Sequence, residues 1–238
     1  MVVRSAAGAE PRLPLTRDRV LRAAIQVADE GGVGALTMRR LAEVVGAEAM
    51  SLYYHVANKE EVLDGVVEVI MMEINELVDR IDLPSRGTAW KAAMRKRILT
   101  AREVFLRHPW ATRVFESRTN PNAAVLKYND GLVRIMRDGG FSHDLCHRAL
   151  HALGSRAIGF NQELFDPGTG PVTEESMAAL KSMADALPHL VGMLMEVAHD
   201  DPESTLGWCD DQSEFEFGLD LVLDGLDRLR VADGPPSA

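Results

Sequence analysis

Cysteine is nearly absent from this sequence, and what little there is does not form a pattern. Cys146 and Cys209 are the only two in 238 residues, too few for a disulfide framework, and a reducing cytoplasm is the expected compartment. Aromatic residues make up only 5% of the chain. Long apolar runs are also missing. The most apolar stretch, "VLDGVVEVIMMEINELV" (62–78), is interrupted by Asp64, Glu68, Glu73 and Glu76, which excludes a membrane span. The opening "MVVRSAAGAEPRLPL" lacks the apolar core of a signal peptide and reads as a flexible arm over 1–15. Positive charge is scarce as well: 26 Lys/Arg face 36 Asp/Glu, a formal net charge of −10. A sequence-blind nucleic-acid coat needs the opposite balance. Residues 1–65, however, hold eight Lys/Arg against nine Asp/Glu, so a nucleic-acid surface built from a few placed cations can lie only there. No Gly-rich phosphate loop, GxSxG or HExxH occurs. A small helical enzyme is thus the weaker reading, and nothing calls for a cofactor.

Helical spacing recurs throughout and sustained alternation does not, so an all-α chain is predicted. Thr16 and Leu15 start a helix over Arg17–Glu30, which "GGVGA" (31–35) stops. Thr37 caps a short helix, "MRRLAEVV", closed by Gly46, and a third helix covers Ala47–Tyr54. Asn58 and Glu61 form a capping box for a long helix over Lys59–Val78. Further helices are expected over 89–107, 110–117, 122–138, from Ser142 to Phe165, from Thr173 with a break or restart at Pro188, and over 214–230. The segments 166–171 and 199–213 read as loops, and 231–238 as a disordered tail.

Two short capped helices joined by a glycine turn, behind a third, are the parts of a helix-turn-helix unit, whose second short helix enters the major groove of DNA. The "SLYYHVANKEEV" segment (51–62) fits that use. Leu52 points inward, Tyr53, Tyr54 and His55 form a rim for phosphates, and Lys59 stands beside them at a helix start. Tyr54 has a competing use as packing for the junction with the long helix. Small or polar groups at Ala47, Glu48, Ala49, Met50 and Ser51 allow close backbone approach.

The run Leu36-Thr37, Arg39, Leu41-Ala42, Gly46, Ser51-Leu52-Tyr53-Tyr54-His55 and Asn58-Lys59 resembles the N-terminal region of the TetR (tetracycline-repressor) family of transcriptional regulators, in order and spacing. Trp90, "RHPW" (107–110), "GF" (159–160) and "FEFGLDLVLDGLDRL" (215–229) are similar, more loosely, to its C-terminal domain. The resemblance implies a helix-turn-helix domain over 16–62 and a larger helical domain over 63–230 that binds an effector and dimerises. It implies that Arg39 reads a base, and that Thr37, Tyr53 and Lys59 contact backbone; Arg40 meets phosphate or is solvated. The founding repressor has glutamine and proline where this chain has Ala49 and Met50, so its operator is not expected to be recognised. These two side chains suit a thymine methyl instead.

The expected partners are a duplex operator with two-fold half-sites, a second copy of the chain, and a small, apolar effector of unknown identity. The effector is expected to release a repressor from DNA. Effector-lining candidates are Trp90, Met94, Arg97, Phe105, Trp110, Phe115 and Phe160. Asn75 falls where the founding repressor has a key histidine, so tetracycline is not the expected effector. The dimer stripe is read as Phe215, Leu219, Val222, Leu226 and Leu229 with Gly218 and Gly225 on the last helix, and Gly154 and Ala157 on an earlier one. The same residues could instead be core of one chain. An alternative is a metal-responsive regulator using His143, His147 and His151, which share a helical face near Cys146; no metal site is assigned.

Overall fold

A computed structural model describes residues 14–118, 122–159, 174–197 and 211–233. The arm at 1–13, Phe160, the 166–171 loop, Cys209 and the end of the tail lie outside these. Eleven α-helices make up the described chain: α1 (Arg17–Ala35), α2 (Met38–Val45), α3 (Ala49–Leu52), α4 (Lys59–Val78), α5 (Trp90–Arg107), α6 (Ala111–Glu116), α7 (Ala123–Asp138), α8 (His143–Gly159), α9 (Glu174–Ser182), α10 (Pro188–Val197) and α11 (Asp211–Asp233). No strand occurs among the described residues.

The local signals in the sequence account for the boundaries of the first four helices. Thr16 Oγ1 accepts from Arg19 N and Thr37 Oγ1 from Arg40 N, each satisfying an amide that the first turn leaves without a carbonyl. Asn58 Oδ1 accepts from Glu61 N, while the Glu61 carboxylate reaches back to Ala57 N at 2.6 Å. α1 continues past its expected end to Ala35, but Gly32 breaks it with φ 72° and ψ 171°. Gly46 closes α2 at φ 66°, in the left-handed region that glycine enters without cost.

The chain packs as two compact units. The first takes the residues up to Asp82 together with Arg97–Gly131. Its core joins Val20, Leu21, Ala24 and Val27 of α1, Leu41 and Val45 of α2, Leu52 of α3 and the inner face of α4. Val104, Ala111 and Val114 from α5 and α6 complete it. The helix-turn-helix thus shares one core with all of α4 and with α6, beyond residue 62.

The second unit takes Leu83–Lys96 and the chain from Leu132 onward. Within it α8 packs on α11. Trp90 is fully buried, with its ring edge-on to Phe141 at 4.5 Å between centroids. A charged ladder joins the start of α5 to α11. Arg95 lies 2.6 Å from Glu216 and 2.8 Å from Asp220, Lys91 pairs with Asp224, and Trp90 Nε1 donates to Asp227 at 3.0 Å. α11 runs from Asp211 to Asp233, three residues beyond the expected 214–230 at each end. Asp211, Gln212 and Ser213 at its start and Val231, Ala232 and Asp233 after Arg230 are helical rather than loop and tail.

Candidate nucleic-acid interface

α2 and α3 owe their relative placement to buried aliphatics and one buttress. Leu41, Val45 and Leu52 are at most 5% exposed, which turns their opposite faces outward. Arg19 of α1 donates to the carbonyl of Val45 at 2.9 Å, satisfying an acceptor at the end of α2. Ala47 N returns to Ala42 O at 3.0 Å, so the turn around Gly46 is hydrogen-bonded through.

Six of the ten residues expected to meet DNA stand well out of this scaffold. The Arg39 side chain is 90% exposed, and Arg40, Ala49, Met50 (72%), Tyr53 (46%) and Tyr54 (88%) are exposed with it. Ser51, His55 and Lys59 are half-buried, and Thr37, exposed, spends its hydroxyl on the α2 cap. At 88% exposure Tyr54 does not pack the junction with α4; Val56 and Leu52 fill that place, 1% and 0% exposed. α3 itself is a single turn over Ala49–Leu52, shorter than the expected Ala47–Tyr54. Tyr53–His55 continue it as turn, held by His55 N to Leu52 O at 2.8 Å.

The effector candidates fall in both units. Trp90 and Met94 are buried in the second unit, where Trp90 also fills the space beside Gly139. Arg97, Phe105, Trp110 and Phe115 belong to the first. There Arg97, 4% exposed, lies over the Tyr128 ring at 5.1 Å, and burial pushes the Tyr128 phenol up to about 12 against the pull of that guanidinium. Phe105 and Phe115 meet edge-on at 6.4 Å. The Trp110 indole donates to Asp29 at 2.6 Å, and Asp29 also meets His108 at 2.8 Å, so "RHPW" ties to the end of α1. Phe160 is outside the described residues.

A feature that sequence reading missed lies between α4 and α7. A cleft of about 360 Å³ is lined by Glu68, Met72, Asn75, Glu76, Ala123, Ala124 and Lys127. Asn75, 4% exposed, donates through Nδ2 to Ala124 O at 2.8 Å, and its Oδ1 takes no hydrogen bond. The signal was available, since Asn75 stands at an inward position of an otherwise aliphatic face.

The dimer stripe divides in two. Phe215, Leu219 and Leu226 are at most 6% exposed within the single chain, so these three are its own core and do not present a face to a partner. Val222, Gly218 and Gly225 are half-buried. Of the expected stripe Leu229 is exposed, and with it on the apolar side of α11 are Phe217 (64%), Leu221 (58%) and Val231. The shift has a simple cause. Phe215 and Phe217 each begin a helical row, and the sequence alone does not say which row turns inward. On α8, Gly154 is half-buried, and the side chain of Ala157 lies outside what is described. His143, His147 and His151 are exposed there, the last two 4.7 Å apart between ring centroids, while Cys146, off their line, is buried and burial raises its thiol. Among the described residues no three His, Cys, Asp or Glu come together as a metal site.

Comparison with known proteins agrees with this arrangement. Residues 20–66 match the bacterial regulatory proteins of the tetR family, and residues 83–230 match the tetracyclin repressor-like C-terminal domain. The chain is 29% identical over 230 residues to the HTH-type transcriptional repressor DrrR1 of Streptomyces coeruleorubidus, covering 92% of this chain and 80% of that protein. It is 27% identical over 218 residues to the class C tetracycline repressor protein of Escherichia coli, covering 91% and 93%. Among solved structures, a possible TetR family transcriptional regulator from Streptomyces coelicolor A3(2) superposes with a TM-score of 0.69 at 28% identity, over 90% of this chain and 99% of that one. With both halves matched in order, the chain belongs to the TetR family and is a helix-turn-helix, DNA-binding transcriptional regulator.

Proposed function

We propose that two copies of this chain occupy a two-fold operator, block transcription from it, and leave it when a small molecule binds in the helical domain. The observation that carries the reading is the head surface. Arg39, Met50, Tyr53 and Tyr54 stand exposed from two short helices and the turn that follows them, whose other faces are sealed by Leu41, Val45 and Leu52. Solvent-exposed methionine and tyrosine beside arginine are costly on a free monomer and useful against base edges and phosphates. Arg39 is the base reader, its guanidinium suited to the two acceptors of guanine. Thr37, Ser51, Tyr53, Tyr54, His55 and Lys59 line the backbone around it, with Arg40 at the edge.

Residues 16–62 serve as the reading head and the remainder, to 230, as the responsive and dimerising part. A head this small reads too few base pairs alone, so a second copy is required. The partner face is formed by α8 with the exposed side of α11, where Phe217 and Leu221 replace Phe215, Leu219 and Leu226 as contact residues, Leu229 remains one, and Gly218 and Gly225 permit close approach. The effector is apolar, in keeping with the methionine and aromatic candidates, and it lowers operator affinity only by as much as it prefers the released state. The names of the two relatives, both repressors, support the sign of regulation. The protein is cytoplasmic and non-enzymatic in this reading; no helix among the described residues is long and apolar enough to cross a membrane.

Electrophoretic shift with DNA from upstream of the protein's own gene tests the reading. The expected result is a shift resistant to random competitor duplex, and an Arg39→Ala variant that loses about 10-fold or more of this specific affinity while binding random duplex nearly as well. Equal affinity of the wild-type protein for both duplexes would defeat it.

A further inference from the structure

The base reader is not loose on the surface. Arg39 Nε donates to Glu43 Oε1 across one turn of α2, at 3.2 Å, and Glu43 Oε2 lies 3.6 Å from Arg40 Nη1. The Arg39 side chain remains 90% exposed, so this contact restrains it without burying it. A guanidinium carries five N–H donors in one rigid plane. Engaging Nε leaves the Nη1 and Nη2 end of the plane uncommitted, and this is the pair that can meet O6 and N7 of guanine together. Glu43 is itself half-exposed on the same side of α2 as both arginines. Its charge therefore stands near any phosphate that Arg39 or Arg40 approaches.

We infer that Glu43 is a positioning residue for base recognition. It holds the Arg39 fork ready for a base, and its negative charge weakens attachment to phosphate alone. One side chain thereby raises discrimination and lowers sequence-blind affinity. This rests on Arg39 being the base reader. Holding a long side chain in advance saves part of the ordering cost of binding, by a factor of about 2 for an exposed pair of this kind. The contact adds little to the stability of α2, because it is an exposed pair one helical turn apart with the arginine first, the less favourable order. Variants at position 43 therefore fold.

The test uses the full chain and duplexes selected by the wild-type protein from a random pool. The base pair that Arg39 reads is the one at which Arg39→Ala loses its preference. For wild type, Glu43→Ala and Glu43→Gln, two affinities are then measured: the ratio between that base pair and its replacement, and the affinity for random duplex. Glu43→Ala is expected to cut the ratio about 2-fold while random-duplex affinity holds or rises. Glu43→Gln keeps a carbonyl oxygen for Nε and is expected to retain the ratio, with random-duplex affinity raised. An unchanged ratio in Glu43→Ala overturns the inference. So does an equal loss on both duplexes, which would mark a structural role, or a Gln variant that falls as far as Ala. If Arg39→Ala loses preference at no position, the base-reading role of Arg39 fails first, and is told apart by that result.

Discussion

The head and the second unit solve opposite problems with the same kind of helix. In the head, each exposed functional residue sits within a few positions of the group that fixes it. Thr37 caps the helix that carries Arg39, Gly46 turns the chain, and Leu52 anchors the turn that shows Met50 and Tyr53. In the second unit the fixing partners are far away in sequence. Trp90 finds Asp227, Lys91 finds Asp224 and Arg95 finds Asp220, each more than 120 residues along. A surface set by local capping keeps its geometry through few contacts, whereas one set by distant pairing depends on the whole unit being packed. The head suits a fixed reading face; the second unit suits a part whose packing must answer to a ligand.

The most severe way to break this contrast is to remove packing from α11. Phe215→Ala is expected to cost about 3–5 kcal/mol, the usual loss for a fully buried phenylalanine, and thermal unfolding should show it. Leu226→Glu should likewise impair folding, because that side chain is 6% exposed within its own chain. Replacing both Phe217 and Leu221 by Glu should leave the melting of the folded chain far less changed, yet convert the dimer to monomer in sedimentation. If Leu226→Glu yields a well-folded monomer instead, the division of α11 into a core row and a partner row is wrong.

How much of this could be read beforehand follows the same line. The head's helices and caps were legible, and with them the exposure of Arg39, Met50, Tyr53 and Tyr54, because the determinants are local: Thr37, Gly46, Asn58 and Glu61 act within four residues of themselves. The shortness of α3 was not legible, since whether Tyr53 and Tyr54 continue a helix depends on what Leu52 and Val56 bury against. On α11 the apolar spacing was legible and its orientation was not, because two rows two residues out of phase satisfy the same periodicity. The acids at 216, 220, 224 and 227 held the missing clue. They mark the side of α11 that the cations Lys91 and Arg95 pair with, and Phe215, Leu219, Leu223 and Leu226 flank that side.

Asp227 sharpens the contrast through pH. The Trp90 indole N–H and then the Arg230 guanidinium hold its carboxyl below the ordinary carboxylate range. A lowered folded-state value means that the unfolded chain binds the proton more readily. The contribution is therefore present above the ordinary carboxylate pKa and lost as pH falls through the lowered one. Asp227→Asn is expected to cost about 1 kcal/mol at neutral pH, the low end for a charge-assisted hydrogen bond because the group is partly solvated. The difference from wild type should shrink on acidification. A difference that stays constant from neutral pH down to strong acid would remove Asp227 from the account.

The smallest effect probes the head where it is least able to hydrogen-bond. Ala49 and Met50 begin α3 with no donor in their side chains and only the weakly accepting Met50 thioether, and Met50 is 72% exposed. What such a pair can prefer on a base edge is a methyl group, and in the major groove that belongs to thymine. Replacing thymine by uracil removes that methyl and leaves every hydrogen-bonding group of the base in place. At the position facing Met50, the change is expected to cost about 0.8 kcal/mol, or roughly four-fold in affinity per half-site, the worth of one buried carbon. Uracil at neighbouring positions should cost less. In a Met50→Ala protein the penalty at that position should largely disappear, because the deleted side chain was its partner. A penalty of the same size in both proteins would mean that the methyl is sensed by another group or through the duplex itself, and the first turn of α3 would then be read as spacing the head from the bases rather than choosing among them.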